Sequence, residues 1–215
     1  MICGVDEAGR GPVLGPLVVA AVMVDSDRTL RKLKVKDSKL LTRQKREELA
    51  PRIRELATVE VAVVQAEDID RYMEHATLNM LEVETFAGLL EKLRPERAFI
   101  DAADVVEERF GQNVLERLTC HPELVCQHKA DINFPVVSAA SIVAKVVRDR
   151  AMDEIGQRFG RPVGSGYSHD EVTLEFIRGW LKENGELPPH TRRSWKTAKD
   201  LYSLSKVTKL TDWTD

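Results

Sequence analysis

The 215 residues are 43% hydrophobic and 31% charged, with a formal net charge of -3, enough for one large domain or a domain with a small appendage. No apolar run reaches the roughly 18 residues that a membrane span needs, and the chain opens with MICGVDEAGRG rather than a basic-apolar signal pattern. No membrane-spanning helix is expected, and a cytoplasmic monomer is the default expectation.

Ile2 to Val5 is a short β-branched run, and Leu17 to Val24 reads LVVAAVMV; two adjacent strands joined by a Gly/Pro loop fit best. Thr42 can cap a helix that carries Leu49, Ile53 and Leu56 on one side and is broken or bent by Pro51. Val59 to Val64 is a third strand candidate. Leu78, Leu81, Thr85, Leu89 and Leu93 recur at helical spacing before Pro95 ends the element. Ala98 to Ile100 reads as a buried strand ending at Asp101, and Leu124 to Gln127 as another, ahead of His128-Lys129-Ala130-Asp131. Phe134 to Phe159 is a long helix whose first half, VVSAASIVAKVV, is apolar enough to lie deep against the sheet. From about residue 160 a GRPVGSGY loop, a helix around Leu174 to Lys182, Pro188-Pro189 and a basic tail read as a small, mostly helical lobe.

Charge is unevenly spread. Residues 28 to 54 hold eleven Lys/Arg against three acids, and residues 190 to 209 hold six against one. Residues 66 to 123 hold fourteen acids against six bases. A basic stretch is ordinarily a solvated helix face, but two of them near candidate active-site segments suit a polyanion groove. Cys3, Cys120 and Cys126 are odd in number and form no C-x-x-C pair, so they read as reduced core residues. Zinc bound by Cys120-His121 and Cys126-x-His128 would match no familiar module spacing.

Asp6, Asp101 and Asp131 each stand at or just beyond the end of an apolar strand, and Glu7 follows Asp6. Strand-end carboxylates sit on the rim of a sheet and can converge. A converged cluster repels itself unless it holds hard cations such as Mg²⁺ or Mn²⁺. One such acid alone is more often a strand-end cap or a surface ion-pair partner. In the loop Gly9-Arg10-Gly11-Pro12-Val13-Leu14-Gly15-Pro16, a dinucleotide fingerprint would need glycine at Leu14, and no G-K-[ST] follows. A better use of Gly9 and Gly11 is close backbone approach to a sugar, with Arg10 reaching a phosphate.

DEAGRGPVLGP at 6 to 16, VKDSK at 35 to 39, FID at 99 to 101, HKAD at 128 to 131, SAASIVAKV at 138 to 146 and GSGY at 164 to 167 together resemble the type 2 ribonucleases H, also called ribonuclease HII, in their archaeal-like single-subunit form. The resemblance runs in family order from residue 4 to about residue 197. It implies a ribonuclease H-like α/β fold, a mixed five-stranded sheet flanked by helices, over residues 1–160. A C-terminal helical lobe that contacts substrate (161–205) and a tail (206–215) would follow.

It also implies that Asp6, Glu7, Asp101 and Asp131 are the catalytic and metal-binding carboxylates, holding two divalent ions, Mg²⁺ or Mn²⁺, with Asp6 as the bridge. Gly9, Arg10 and Gly11 become the loop that senses the ribose 2′-hydroxyl, Tyr167 the aromatic that stacks on the sugar, and Lys39 a phosphate-neutralising lysine. Lys145 admits the ordinary reading of a lysine snorkelling from a buried helix. The activity implied is hydrolysis of the RNA strand of RNA–DNA hybrids and incision 5′ of ribonucleotides embedded in duplex DNA, leaving 5′-phosphate and 3′-hydroxyl ends, in DNA replication and repair.

At the end of the chain Leu210 precedes Trp213 by three residues, which resembles the sliding-clamp-binding peptides of some archaeal-type members. Val207 stands where glutamine is usual and Thr214 where a second aromatic often stands; an amphipathic tail packing on its own domain fits the same residues. Two alternatives to the enzyme reading are another nuclease or strand-transfer enzyme on the same fold and a hybrid-binding module whose acids hold a structural ion.

Overall fold

Leu17–Val24 is buried at every position, and a strand with no exposed face must be covered on both sides. That strand, β2, pairs antiparallel with β1 (Ile2–Ala8) from Ile2↔Val24 to Ala8↔Val18. The structure, a computed structural model, describes residues 1–33, 35 and 41–211, with the backbone alone for 207–211. Around the first pair the sheet is completed by β3 (Thr58–Val64), β4 (Arg97–Asp101) and β5 (Glu123–Gln127) in the order β3-β2-β1-β4-β5. β4 runs parallel to β1, and β5 parallel to β4, so the mixed five-stranded sheet expected from the sequence is present.

The helices are α1 (Asp27–Lys32), α2 (Arg43–Leu56), α3 (Ala66–Met73), α4 (Leu78–Leu93), α5 (Glu107–Leu115), α6 (Ala130–Asn133), α7 (Pro135–Phe159), α8 (Glu171–Asn184) and α9 (Lys196–Thr211). Thr42 caps α2 as expected, its hydroxyl accepting from the Lys45 amide at 3.2 Å. Of the break or bend expected at Pro51 the break does not occur, the helix running on through it; Leu49, Ala50 and Ile53 are the residues it buries, while Leu56 is 44% exposed. Within the lobe expected to be mostly helical, the basic stretch from Lys196 onward is the helix α9, which runs on to Thr211 into the residues read as a tail. Of the three free cysteines only Cys3 is a core residue, Cys120 and Cys126 being partly exposed.

The chain divides into two compact units. One comprises Met1–Ala8, Val18–Val63 and Ala76–Arg148; the other comprises Gly9–Leu17, Val64–His75 and the chain from Asp149 onward. The division falls inside α7, between Arg148 and Asp149. The reason is apolar packing: Met152 and Ile155 of α7 join Val13, Leu14, Phe176, Ile177 and Leu181 in a single cluster, and Phe159 stacks on Phe176 at 4.9 Å.

In the first unit α7 is the covering element. Val136, Val137, Ala139, Ala140, Ile142, Val143 and Ala144 are all fully buried against Val18, Ala20, Val22, Ile53 and Phe99. Small residues let the helix come close, and at Gly4 there is no room for any side chain: a Cβ there would stand 2.2 Å from the carbonyl carbon of Val136. Gly4→Ala must push β1 and α7 apart, at a cost of about 3 kcal/mol. Thermal unfolding will show a Tm roughly 6–12 °C lower. Gly88→Ala in α4, where a Cβ meets nothing within 4 Å, will instead gain about 0.5–1 kcal/mol from the helix preference of alanine.

Candidate active site

The carboxylates lie in the first unit. β1 pairs with β4 only as far as Val5↔Ile100, while its pairing with β2 continues to Ala8. Asp6 thus sits just past the end of the parallel ladder on its β4 side. It lies inside a strand that runs three residues beyond the expected end at Val5. β4 closes with Asp101, paired to Gln127 of β5. After β5 the chain passes through Lys129, whose φ of 56° is left-handed, and enters the short helix α6 that carries Asp131. The Asp101 carboxylate accepts from the Ala130 amide at 2.9 Å, so one acid anchors the turn that presents the next. Phe99 and Phe134, with ring centroids 4.4 Å apart, hold the same turn against β4.

Asp6 and Asp131 are 5% and 4% exposed; Asp101 and Glu7 are partly exposed. Burial pushes the Asp6 carboxyl up to about 7, and the negative charge of Asp101, then that of Asp131, adds to the shift. Hydrogen bonds from the Ser141 hydroxyl and the Glu7 amide, the latter at 2.7 Å, work in the opposite direction. The structure therefore brings Asp6, Asp101 and Asp131 within electrostatic reach of one another. Among the described residues no three His, Cys, Asp or Glu groups are closed around a position where an ion would sit. The donor set is all carboxylate oxygen, the chemistry that suits hard divalent cations.

Gly9, Arg10, Gly11 and Tyr167 lie in the second unit. Gly9 has φ 87°, Gly164 φ 69° and Gly166 φ 87°, a backbone region that side chains disfavour. The Gly166 carbonyl accepts from the Val13 and Leu14 amides at 2.8 and 3.1 Å, and the Gly166 amide donates to Thr173 at 2.9 Å. The GRG and GSGY loops are thereby tied together. Tyr167 is partly exposed, its ring 5.3 Å from that of His169. Lys39 and Trp213 lie outside the described residues, as does the side chain of Leu210.

Sequence reasoning missed Ser141 and Arg192. Ser141 stood within the SAASIVAKV segment without an assigned partner. Arg192, counted among the basic residues of the C-terminal stretch, is fully buried and gives its guanidinium to the carbonyls of Gly9, Arg10 and Gly15. Nothing in a single sequence distinguishes such an arginine from its exposed neighbours.

The family model of ribonuclease HII matches residues 3–198. Ribonuclease HII of Thermococcus sibiricus is 47% identical over 203 residues, which cover 92% of this chain and 89% of that protein. The crystal structure of ribonuclease H2 from Pyrococcus horikoshii matches with a TM-score of 0.89 at 38% identity, covering 95% of this chain and 98% of that one. Ribonuclease HII of Archaeoglobus fulgidus, solved in complex with PCNA, matches with a TM-score of 0.86 at 42% identity, covering 94% and 96%. The fold is thus ribonuclease H-like. The chain belongs to the ribonuclease HII family and is a type 2 ribonuclease H, a hydrolase acting on the RNA strand of RNA–DNA hybrids.

The raised Asp6 carboxyl has a stability consequence whose sign is determined. The folded chain holds this proton more tightly than the unfolded chain, where the group titrates near 3.8. Its contribution to stability is therefore full below about pH 3.8 and is lost as pH rises through about 7. Asp6→Asn, which stays neutral, will match the parent at pH 3.5 in urea unfolding with chelator present. Above pH 7.5 it will exceed the parent by up to about 4 kcal/mol; no gain at high pH would mean that Asp6 is not charged against its neighbours.

Proposed function

We propose that this chain incises duplex DNA on the 5′ side of embedded ribonucleotides as well as cutting the RNA strand of hybrids, leaving 5′-phosphate and 3′-hydroxyl ends. The observation that carries the reading is Asp6, 5% exposed beside Asp101 and Asp131 in a chain of this family. Asp6, Glu7, Asp101 and Asp131 are the catalytic residues and would hold two divalent ions, Mg²⁺ or Mn²⁺. Bound there, such ions supply a lowered pKa for attacking water and positive charge for the departing 3′ oxygen.

The chain's own groups do the rest. Asp6, flanked by both other aspartates, would hold the ions together with them. With its pKa near 7 it gives up its own proton at little cost in neutral solution. Asp101, held by the Ala130 amide, keeps α6 and hence Asp131 in position. Gly9, Arg10 and Gly11 take the ribonucleotide, whose 2′-hydroxyl distinguishes RNA from DNA, and Tyr167 stacks on the adjoining sugar. A substrate without that hydroxyl leaves polar groups of the loop unpaired, a large penalty in rate. Lys39 neutralises a phosphate. Exposed cations of α1 and α2, among them Arg28, Arg31, Arg43, Lys45, Arg52 and Arg54, add a local field for the backbone of the nucleic acid.

The decisive assay is cleavage of a labelled DNA duplex containing one ribonucleotide, beside an all-DNA duplex and a hybrid. Incision 5′ of the ribonucleotide with Mg²⁺ or Mn²⁺ is expected, with none on all-DNA and none in chelator. Asp131→Asn will lower kcat by at least about 100-fold while hybrid binding persists. Substantial turnover by that variant at saturating metal would remove the site assignment.

The tail around Leu210 and Trp213 is proposed to engage a sliding clamp, a reading supported by the Archaeoglobus fulgidus relative solved with PCNA. A chain ending at Ser205 will lose capture by immobilised clamp while keeping its nuclease activity. Equal capture of both forms would eliminate the tail as the contact.

A further inference from the structure

Arginine is among the residues least often fully buried, yet Arg192 has no exposed surface. Its Nη2 donates to the Gly9 carbonyl at 2.5 Å, its Nη1 to the Arg10 carbonyl at 2.8 Å and its Nε to the Gly15 carbonyl at 3.0 Å. Its own amide donates to Val13 at 2.8 Å. The Trp195 ring lies 4.9 Å from the guanidinium, and its indole N–H donates to the Gly11 carbonyl at 3.2 Å. All three carbonyls of Gly9-Arg10-Gly11 are thus held by two side chains from the segment between α8 and α9.

We propose that Arg192 and Trp195 are positioning residues for the sugar-sensing loop, both setting its shape and Arg192 also setting the donor strength of its amides. This rests on the reading of Gly9, Arg10 and Gly11 as the loop that meets the ribonucleotide.

The shape argument is geometric. A guanidinium is a planar fork whose donors have fixed relative directions, so three carbonyls bound to one such group cannot shift independently. The amide argument follows from the peptide bond. The Gly9 carbonyl shares its π system with the Arg10 N–H, and the Arg10 carbonyl with the Gly11 N–H. A cation bound to each oxygen draws density from the linked nitrogen and strengthens that N–H as a donor. An oxygen of the ribonucleotide or its phosphate meets amides already polarised before it arrives, which is the preorganisation that lowers a barrier. Lysine, a point charge on a flexible stem, cannot serve three oxygens in one plane.

The test compares the full chain with Arg192→Lys and Trp195→Phe on the one-ribonucleotide duplex and its all-DNA counterpart, with kcat and KM per folded molecule and the melting temperature recorded. Trp195→Phe deletes only the N–H on Gly11 and keeps an aromatic ring near the guanidinium. It is expected to fold and to lose about 3- to 10-fold in kcat, the worth of one hydrogen bond. Arg192→Lys is expected to lose about 10- to 100-fold in kcat, the scale of a slightly displaced binding group, with the concentration of Mn²⁺ that gives half-maximal rate unchanged.

A merely structural pair would lower the melting temperature and leave kcat and KM per folded molecule as in the parent. That result in Trp195→Phe overturns the assignment even if Arg192→Lys does not fold. A parent chain that cuts all-DNA duplex as fast as the ribonucleotide duplex overturns the sugar-sensing reading, and this inference with it. A selective parent with unaltered variants overturns this inference alone.

Discussion

Like charges held together in a buried place tend to separate or to pick up a proton, and the packing of the first unit prevents the separation. Asp6, 5% exposed beside Asp101 and Asp131, is an arrangement that no isolated strand would keep. Its carboxyl rises to about 7 because burial removes solvation and two neighbouring aspartates oppose its charge. What resists relaxation is packing: β2 buried along its whole length, α7 seated so tightly on β1 that Gly4 admits no Cβ, and the Ala130 amide fastened to Asp101. Ser141, reaching Asp6 from α7, gives the carboxylate one of its few solvent-replacing contacts. The apolar helix and the acid cluster are therefore parts of one device, since rigid packing holds together charges that would otherwise move apart.

The second unit solves a different problem. A loop rich in glycine and proline, needed where a backbone must approach a ligand, has polar groups that secondary structure does not satisfy. Here they are satisfied from outside the loop. Gly166 receives the Val13 and Leu14 amides, His190 receives the Gly15 amide, and Arg192 and Trp195 take the carbonyls. Asp70 of α3 accepts the Arg193 and Ser194 amides and the Ser194 hydroxyl, so the segment that carries Arg192 is itself fixed. A chain of hydrogen bonds from α3 through residues 192–195 to Gly9 makes an irregular loop rigid without placing it in a helix or a strand.

Membership of the ribonuclease HII family and the activity of a type 2 ribonuclease H follow from agreement over nearly the whole chain. The acid cluster gives that membership a physical basis. Carboxylates at the ends of neighbouring parallel strands are brought side by side by the sheet itself, and local charge in α1 and α2 is independent of the net charge of -3.

Much of this was legible in one dimension, because it rests on local rules. An eight-residue apolar run with β-branched residues fits a buried strand best, Thr42 before a helical pattern reads as a cap, and acids directly after apolar strands stand where a sheet ends. The motifs from DEAGRG to GSGY carried the family. What the sequence could not decide depended on which surfaces meet. Leu56 continues the apolar face of α2 but points to solvent, because periodicity names a face without saying how far its partner extends. Pro51 lies inside an uninterrupted helix because packing of Leu49 and Ile53 outweighs one lost hydrogen bond. The division within α7 was set by aromatic and aliphatic contacts between residues far apart in the chain. Arg192 shows the limit most clearly. Its charge was counted toward a nucleic-acid surface, yet its partners are carbonyls about 180 positions earlier, and a charged residue becomes an internal brace only when folding supplies the oxygens that replace water.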